Sequence, residues 1–255
     1  MKLFTFWSFA PVTYIERLCL KSMLAAGHPV DLYTYDSGLK VPEGVTVRDA
    51  SEIMPRDTVF FHREGSPSVF SDLFRYRGLE KSAGTWVDMD VLLLRSMADM
   101  GEHIFGLADG YVINGAVLRL PPDCSFFAYV DKLMVDPVPI PEHWNARRKL
   151  IQRARALFGR ARQIADMERG VVGPGALTHY VHTSGLARYA QPVEVFYPVH
   201  WRETRMLFEP GADVEAKLTH RTRAVHLWNA RLDDYKKAAP PEGSFIARML
   251  ERFGV

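Results

Sequence analysis

Hydrophobic residues along this chain alternate between short continuous runs and longer stretches in which they recur every three or four positions. Residues 2–6 are a run of the first kind, the pattern of a strand buried on both faces. Residues 12–26 are of the second kind: Ile15, Leu18, Cys19, Ser22 and Met23 fall on one helical face, and Gly27 stops the helix. A second strand is predicted over 30–35. Strand, helix, strand is the order that a parallel sheet with a crossover helix generates, and 45–47 and 59–61 continue the supply of short strands. Ser66-Pro67 then opens a helix with Val69, Leu73 and Tyr76 as its inward stripe; Gly84 ends it, and a strand follows over 85–94.

The second half is more mixed. Strands are predicted at 104–107, 111–120, 193–196 and 223–227, helices at 124–135 and 144–165, and Ser244 caps a closing helix through Phe253. Residues 135–142 form a stiff, proline-rich connector that marks the edge of a helical insertion over 121–170 rather than a domain boundary. The expected fold class is α/β, a Rossmann-like mixed sheet flanked by helices, and 255 residues fit one domain, 1–255.

Charge and cysteine content narrow the picture. A formal net charge of +2 argues against bulk electrostatic binding of nucleic acid. Cys19 and Cys124 lie far apart without metal-ligand spacing, which excludes a disulfide framework and predicts a reducing, cytoplasmic setting. No uncharged apolar run approaches the roughly eighteen residues of a membrane span, and the N-terminal run, followed soon by Glu16 and Arg17, reads as a strand rather than a signal peptide. One segment stands apart. From Arg147 to Arg162 seven basic residues alternate with an apolar stripe of Leu150, Ala154, Leu157, Ala161 and Ile164, the pattern either of a solvated helix face or of peripheral contact with the inner face of an anionic membrane.

The chemistry concentrates in 71–95. Asp88 and Asp90 interrupt an otherwise apolar strand, and buried unpaired carboxylates are costly enough to imply a cation, a hydrogen-bonding ligand or a strand end open to solvent. Residues two apart share a strand face, so both acids are expected to point one way with Met89 opposite, where they would hold magnesium or manganese and, through it, phosphate oxygens. Asp72 and Arg75, three apart on the preceding helix, face one point, either as partners for hydroxyls and phosphate or as a plain ion pair. His226 ends an apolar strand, as a core histidine or as a nitrogen ligand suited to manganese. Asn114-Gly115 breaks another apolar run, at a turn or where a ligand approaches the backbone. Gly173-Pro174-Gly175 starts a helix whose N–H groups would face phosphate or acceptor, while His179 and His182 lack the glutamate of a zinc-protease motif and are read as structural.

The arrangement Asp72-x-x-Arg75, then Gly84-x-Trp86-x-Asp88-x-Asp90, resembles glycosyltransferase family 32, the sugar-binding region containing the Asp-x-Asp motif, and the related catalytic core of the large clostridial glucosylating toxins. Phe6-Trp7, Asn114-Gly115, Gly173-Pro174 and His226-Leu227-Trp228-Asn229 fit the same resemblance, which thereby spans most of the chain. The resemblance implies a single-domain GT-A-type nucleotide-sugar-binding fold. It also implies metal-dependent transfer of a hexose from a nucleotide sugar, UDP-hexose, to a glycan or glycolipid hydroxyl with retention of configuration. By the same likeness Asp88 meets the donor's ribose and sugar, and Asp90, with His226 and Asp88, ligates Mn2+ or Mg2+. Asp72 and Arg75 hold sugar hydroxyls, Trp7 lies on the base, Trp86 and Asn114 line the donor site, and Trp228 donates its indole N–H to the leaving β-phosphate. The 121–170 segment shapes the acceptor side. Two rivals stay open here: a metal-dependent nucleotide-sugar phosphohydrolase and a non-catalytic nucleotide-sugar or glycan-binding module.

Overall fold

The computed structural model describes all 255 residues. Its strands are β1 (Leu3–Phe6), β2 (Val30–Thr34), β3 (Val45–Asp49), β4 (Thr85–Val87), β5 (Val91–Leu93), β6 (Ile104–Leu107), β7 (Ile113–Arg119) and β8 (Ala224–His226). Six of them form one sheet in the order β3-β2-β1-β4-β7-β6, and β5 and β8 form a separate pair. β1 lies parallel to β2 and β4, and β2 parallel to β3, whereas β7 runs antiparallel to β4 and β6. The sheet is therefore mixed, and with helices on both faces the architecture is the GT-A-like α/β class expected.

The helices are α1 (Tyr14–Ala25), α2 (Ser68–Glu80), α3 (Ser125–Val135), α4 (Ala146–Leu157), α5 (Ala176–Thr183), α6 (Val193–Phe196) and α7 (Phe245–Phe253). α1 begins where Thr13 accepts the Ile15 N–H and the Glu16 carboxylate reaches back to the Thr13 N–H at 2.8 Å, satisfying donors that the first turn leaves unpaired. Its apolar face joins α7 over one side of the sheet, in a core that includes Leu3, Ile15, Leu18, Met23, Ile246 and Met249. Phe4 and Phe6 of β1 face the other side, where α2, α3 and α5 supply Phe70, Phe74, Phe126 and Leu177. Central strands are thus buried on both faces, which is why they read as continuous apolar runs.

Four expectations are corrected. Residues 59–61 form no strand: Phe60 packs edge-on against Phe70 at 6.0 Å and Phe61 against Phe9 at 5.4 Å, so their rings are used while their backbone stays out of the ladder. The run 193–196 is the short helix α6 set off by Pro192, since four apolar residues carry no period that separates strand from helix. The helix predicted over 144–165 stops at Leu157, and the chain turns at Gly159 with φ 65°. The strand predicted over 85–94 is broken into β4 and β5, which belong to different sheets. Within 121–170, α3 contributes Phe126, Phe127, Val130 and Leu133 to the second core, whereas α4 buries only Gln152. No helix is long and apolar enough to cross a membrane.

Candidate active site

The break between β4 and β5 creates the site. β4 hydrogen-bonds to β7 in the central sheet and β5 to β8 outside it, so the chain must turn between them, and Asp88, Met89 and Asp90 occupy the turn. The two acids converge because of this turn, and not because they share a strand face. β8 runs antiparallel to β5 with His226 opposite Val91, which delivers the imidazole to Asp90. Ligand atoms of Asp88, Asp90 and His226 consequently lie within 4.8 Å of one another.

Arg75 holds the acidic side together. Its Nη2 lies 3.1 Å from Asp72 Oδ1 and 3.3 Å from Asp88 Oδ1, and its guanidinium carbon sits 5.1 Å from the centre of the Trp86 ring. The Trp86 indole N–H donates to the same Asp88 oxygen. Asp72 and Arg75 are both buried, so the surface ion pair that their spacing allowed is excluded; one guanidinium compensates buried Asp72 and half-buried Asp88.

The surroundings drive the acids apart in proton affinity. Burial pushes Asp72 up to about 6 against the opposing pull of Arg75, and burial likewise raises Asp88. Asp90 is also desolvated, yet His226 and the Asn229 N–H, which donates to Asp90 Oδ2 at 2.5 Å, hold it below the ordinary carboxylate range. Burial works to lower the pKa of His226, but Asp90, 3.1 Å from its Nε2, raises it on balance.

These residues fit a divalent cation. Asp88 and Asp90 each receive their protein partners through a single oxygen, Oδ1 and Oδ2 respectively. The other oxygen of each is left free. His226 Nδ1 is buried with no hydrogen-bond partner, an orphan that needs an explanation. A neutral imidazole carrying its proton on Nε2 donates to Asp90 and keeps a lone pair on Nδ1. Two carboxylates and one imidazole are a donor set suited to manganese or, with fewer nitrogen ligands, magnesium.

The cluster lies in a cleft of about 710 Å³ whose lining also includes Trp7, Asp72, Arg75, Trp86, Asn114 and Trp228, so every residue singled out for donor binding reaches one cavity. His179 and His182 do not: the first meets Glu142 at 3.4 Å, and the second lies beside the Tyr111 carbonyl at 3.0 Å and stacks on that ring.

A family model described as the alpha 1,4-glycosyltransferase conserved region matches residues 173–253, the segment that carries His226, Trp228 and Asn229. Lactosylceramide 4-alpha-galactosyltransferases are similar to the chain: that of Mus musculus is 27% identical over 164 residues, covering 64% of this chain and 41% of the relative. That of Homo sapiens is 26% identical over 172 residues, covering 64% and 42%, and that of Pongo pygmaeus 26% over 172 residues, covering 64% and 68%. Over these stretches the chain is similar to alpha 1,4-glycosyltransferases. It spans about two fifths of the length of the mouse and human relatives.

Two glycines leave the room that seats the Asp72–Arg75 pair. A Cβ on Gly115 would lie 2.3 Å from Arg75 Nη1, and one on Gly173 would lie 2.4 Å from Asp72 Oδ2. The wide turn Val171–Gly175 thus brings its backbone against Asp72, and the Tyr76 hydroxyl, one helical turn further along α2, donates to the Val172 carbonyl at 2.9 Å to pin it there. Asn114 accepts the Ala116 N–H at 2.8 Å through its carboxamide oxygen, holding the strand in place beside the cleft.

Trp228 is engaged by the protein itself. Its indole N–H donates to the Val199 carbonyl at 2.8 Å, the ring packs 4.2 Å from His226, and the residue adopts φ 61°, a left-handed backbone that a tryptophan takes only when its surroundings impose it. Trp7 donates to the Ala10 carbonyl at 2.9 Å, its ring lining the cleft and Lys236 Nζ 5.5 Å from the ring centre. Sequence reasoning missed Arg169, Trp201 and Arg231, all of which line the cleft, and gave no role to Asn229, which lines it too. The guanidiniums of Arg202 and Arg231 each lie 4.8 Å from the Trp201 ring. These are loop residues without periodicity or motif, and only the basic-aromatic neighbours Trp201-Arg202 offered a signal.

Proposed function

We propose that this chain moves a hexose from UDP-hexose to a hydroxyl of a glycan or glycolipid, with a divalent cation and with retention of configuration. The observation that carries the reading is the convergence of Asp88, Asp90 and His226 beside the Asp72–Arg75 pair in one cleft. Asp88, Asp90 and His226 would hold the cation, which when bound supplies positive charge to the departing diphosphate. Arg75, fixed by two carboxylates, places a permanent cation and its hydrogen-bond donors beside the donor sugar, and ionised Asp72 accepts from sugar hydroxyls. Trp7 offers the base a stacking face, an interaction of about 1–3 kcal/mol.

The stereochemical part rests on what lines the cleft. Its only carboxylates are Asp72, Asp88 and Asp90; Asp72 is paired with Arg75, and the remaining oxygens of Asp88 and Asp90 are taken by the cation in this reading, which leaves no carboxylate to attack the anomeric carbon. Front-side displacement follows: the acceptor oxygen bonds to the anomeric carbon as the carbon–phosphate oxygen bond breaks, and the acceptor proton passes to the leaving phosphate. The names of the similar galactosyltransferases support transfer over hydrolysis and a glycolipid as the acceptor.

Calorimetric titration of UDP-hexoses with and without Mn2+, on the parent and on Asp90→Ala, tests the reading. Binding that Mn2+ strengthens and Asp90→Ala removes is expected, together with UDP release that depends on acceptor. Metal-independent binding untouched by the substitution overturns the site, and equal turnover without acceptor makes the protein a hydrolase.

A further inference from the structure

Helix α4 and the turn after it present a surface that the donor cleft does not use. From 146 to 165 the chain carries seven basic residues and no acidic one, whereas the remaining 235 residues carry 25 basic and 30 acidic. α4 is attached through Gln152, its one buried residue, whose amide donates to the carbonyls of Pro139 and Arg162 at 3.3 and 2.8 Å and accepts the Arg162 N–H at 3.2 Å. At about 100° of rotation per residue, the direction opposite Gln152 belongs to Leu150, Ala154 and Leu157, flanked by Arg147 and Ile151 on one side and Arg153 on the other.

The apolar strip therefore faces away from the body. Leu150, Leu157 and Phe158 are 66%, 85% and 77% exposed, and with Ile151 they gather four of the eleven large exposed apolar side chains of the protein into nine residues. A folded surface ordinarily scatters such residues singly. Arg148 pairs with Glu168 at 2.9 Å, but Arg147, Arg153, Arg155, Arg160 and Arg162 have no carboxylate within ion-pairing distance. Nucleic acid would match the arginines and leave the aliphatic strip in water; a hydrophobic protein groove would match the strip and bury unpaired charge. The interface of an anionic bilayer matches both, with acyl chains for the strip and lipid phosphates for the guanidiniums.

We propose that α4 and the Phe158 turn dock on the surface of an anionic lipid bilayer. Glu168, held by Arg148, immediately precedes Arg169 in the cleft lining, so the docking helix adjoins the wall of the cleft. The use of that placement, delivery of a lipid-borne acceptor hydroxyl, rests on the function proposed above; the docking itself does not.

The test is co-sedimentation of the full chain with phosphatidylcholine vesicles, with and without phosphatidylglycerol, at low and high salt. Binding confined to the anionic vesicles and released by salt is expected. Arg153→Gln with Arg155→Gln should weaken it about thirtyfold, from the roughly fivefold that each basic residue near such a surface contributes. Leu157→Glu with Phe158→Glu should abolish it while leaving the circular dichroism spectrum, the melting temperature and UDP release with a soluble acceptor unchanged. Absence of vesicle binding overturns the proposal, and so does full binding by the Leu157→Glu, Phe158→Glu variant, which would mark the patch as a generic polyanion site. Vesicle binding is read without sugar transfer, so the failure of one reading leaves the other standing.

Discussion

Arg75 and the arginines of α4 carry the same charge in opposite surroundings. Arg75 is 6% exposed and lies between two carboxylates and a tryptophan ring, whereas Arg147 and Arg153 stand in water on a helix attached by one glutamine. In the interior a charge must be compensated by an opposite one nearby, and that pairing, made through Nη2 of Arg75, fixes the geometry of the donor site. On the surface a charge contributes little to the fold and stays available to an outside partner. One region spends its polar groups on internal order; the other leaves them free together with an apolar strip.

The largest test of this contrast is Arg75→Ala, which strands buried Asp72 and half-buried Asp88. A loss of up to about 3–5 kcal/mol is expected in urea denaturation, less to the extent that half-buried Asp88 is reached by water, and Arg75→Lys should recover little because a point charge does not replace a planar fork. Arg153→Ala should stay within about 0.5 kcal/mol of the parent. Equal effects at the two positions would break the comparison.

Next come the glycines that seat the buried pair. Gly173→Ala and Gly115→Ala push a methyl group into Asp72 and Arg75, and overpacking of this kind costs about 1–3 kcal/mol. Donor affinity measured by calorimetry should fall with stability. Unchanged affinity would mean that Asp72 and Arg75 can retreat without harm.

The pH dependence is smaller and has two signs. Asp72, raised by burial to about 6 from the ordinary 3.8, binds its proton more tightly folded than unfolded. Its contribution to stability is complete below pH 3.8 and is lost as the pH rises through 6. Asp72→Asn should therefore flatten the stability curve between about pH 4 and 6 relative to the parent. Asp90, held low by His226 once burial is outweighed, acts in the opposite sense: it stabilises above the unfolded carboxylate pKa, and that stability disappears as the pH falls through the folded value. Asp90→Asn should cost stability at neutral pH and little in acid. Denaturation curves across pH that move alike for both variants would show that the two carboxylates are not differently held. The smallest expected change is Leu157→Glu alone, which should leave stability within about 0.5 kcal/mol, and a clear loss would place the leucine in a packed contact.

Much of the fold was legible because the relevant signals are local. β1, α1, β2, α2, β7, α3 and α7 fall where periodicity, caps and glycine stops predict them, since a period of two or 3.6 is written over consecutive residues. The candidate site was legible as a set of residue types, acids in an apolar run with an arginine one turn along a helix. Short apolar runs such as 193–196 were not legible, because four residues hold no period.

By itself, the sequence determined the α/β class, the identity of the acids, the arginine and the histidine, and the basic character of 147–162. Tertiary structure decided that Asp88 and Asp90 meet in a turn between two sheets, that His226 joins them from 136 residues away, and that Gly115 and Gly173 leave room for charged side chains. It also decided that Trp228 gives its N–H to a carbonyl and that Leu150 and Leu157 face solvent. The physical reason is common to all of these. Burial and close approach depend on what distant segments bring to the same place, and a local pattern of residues carries no record of that.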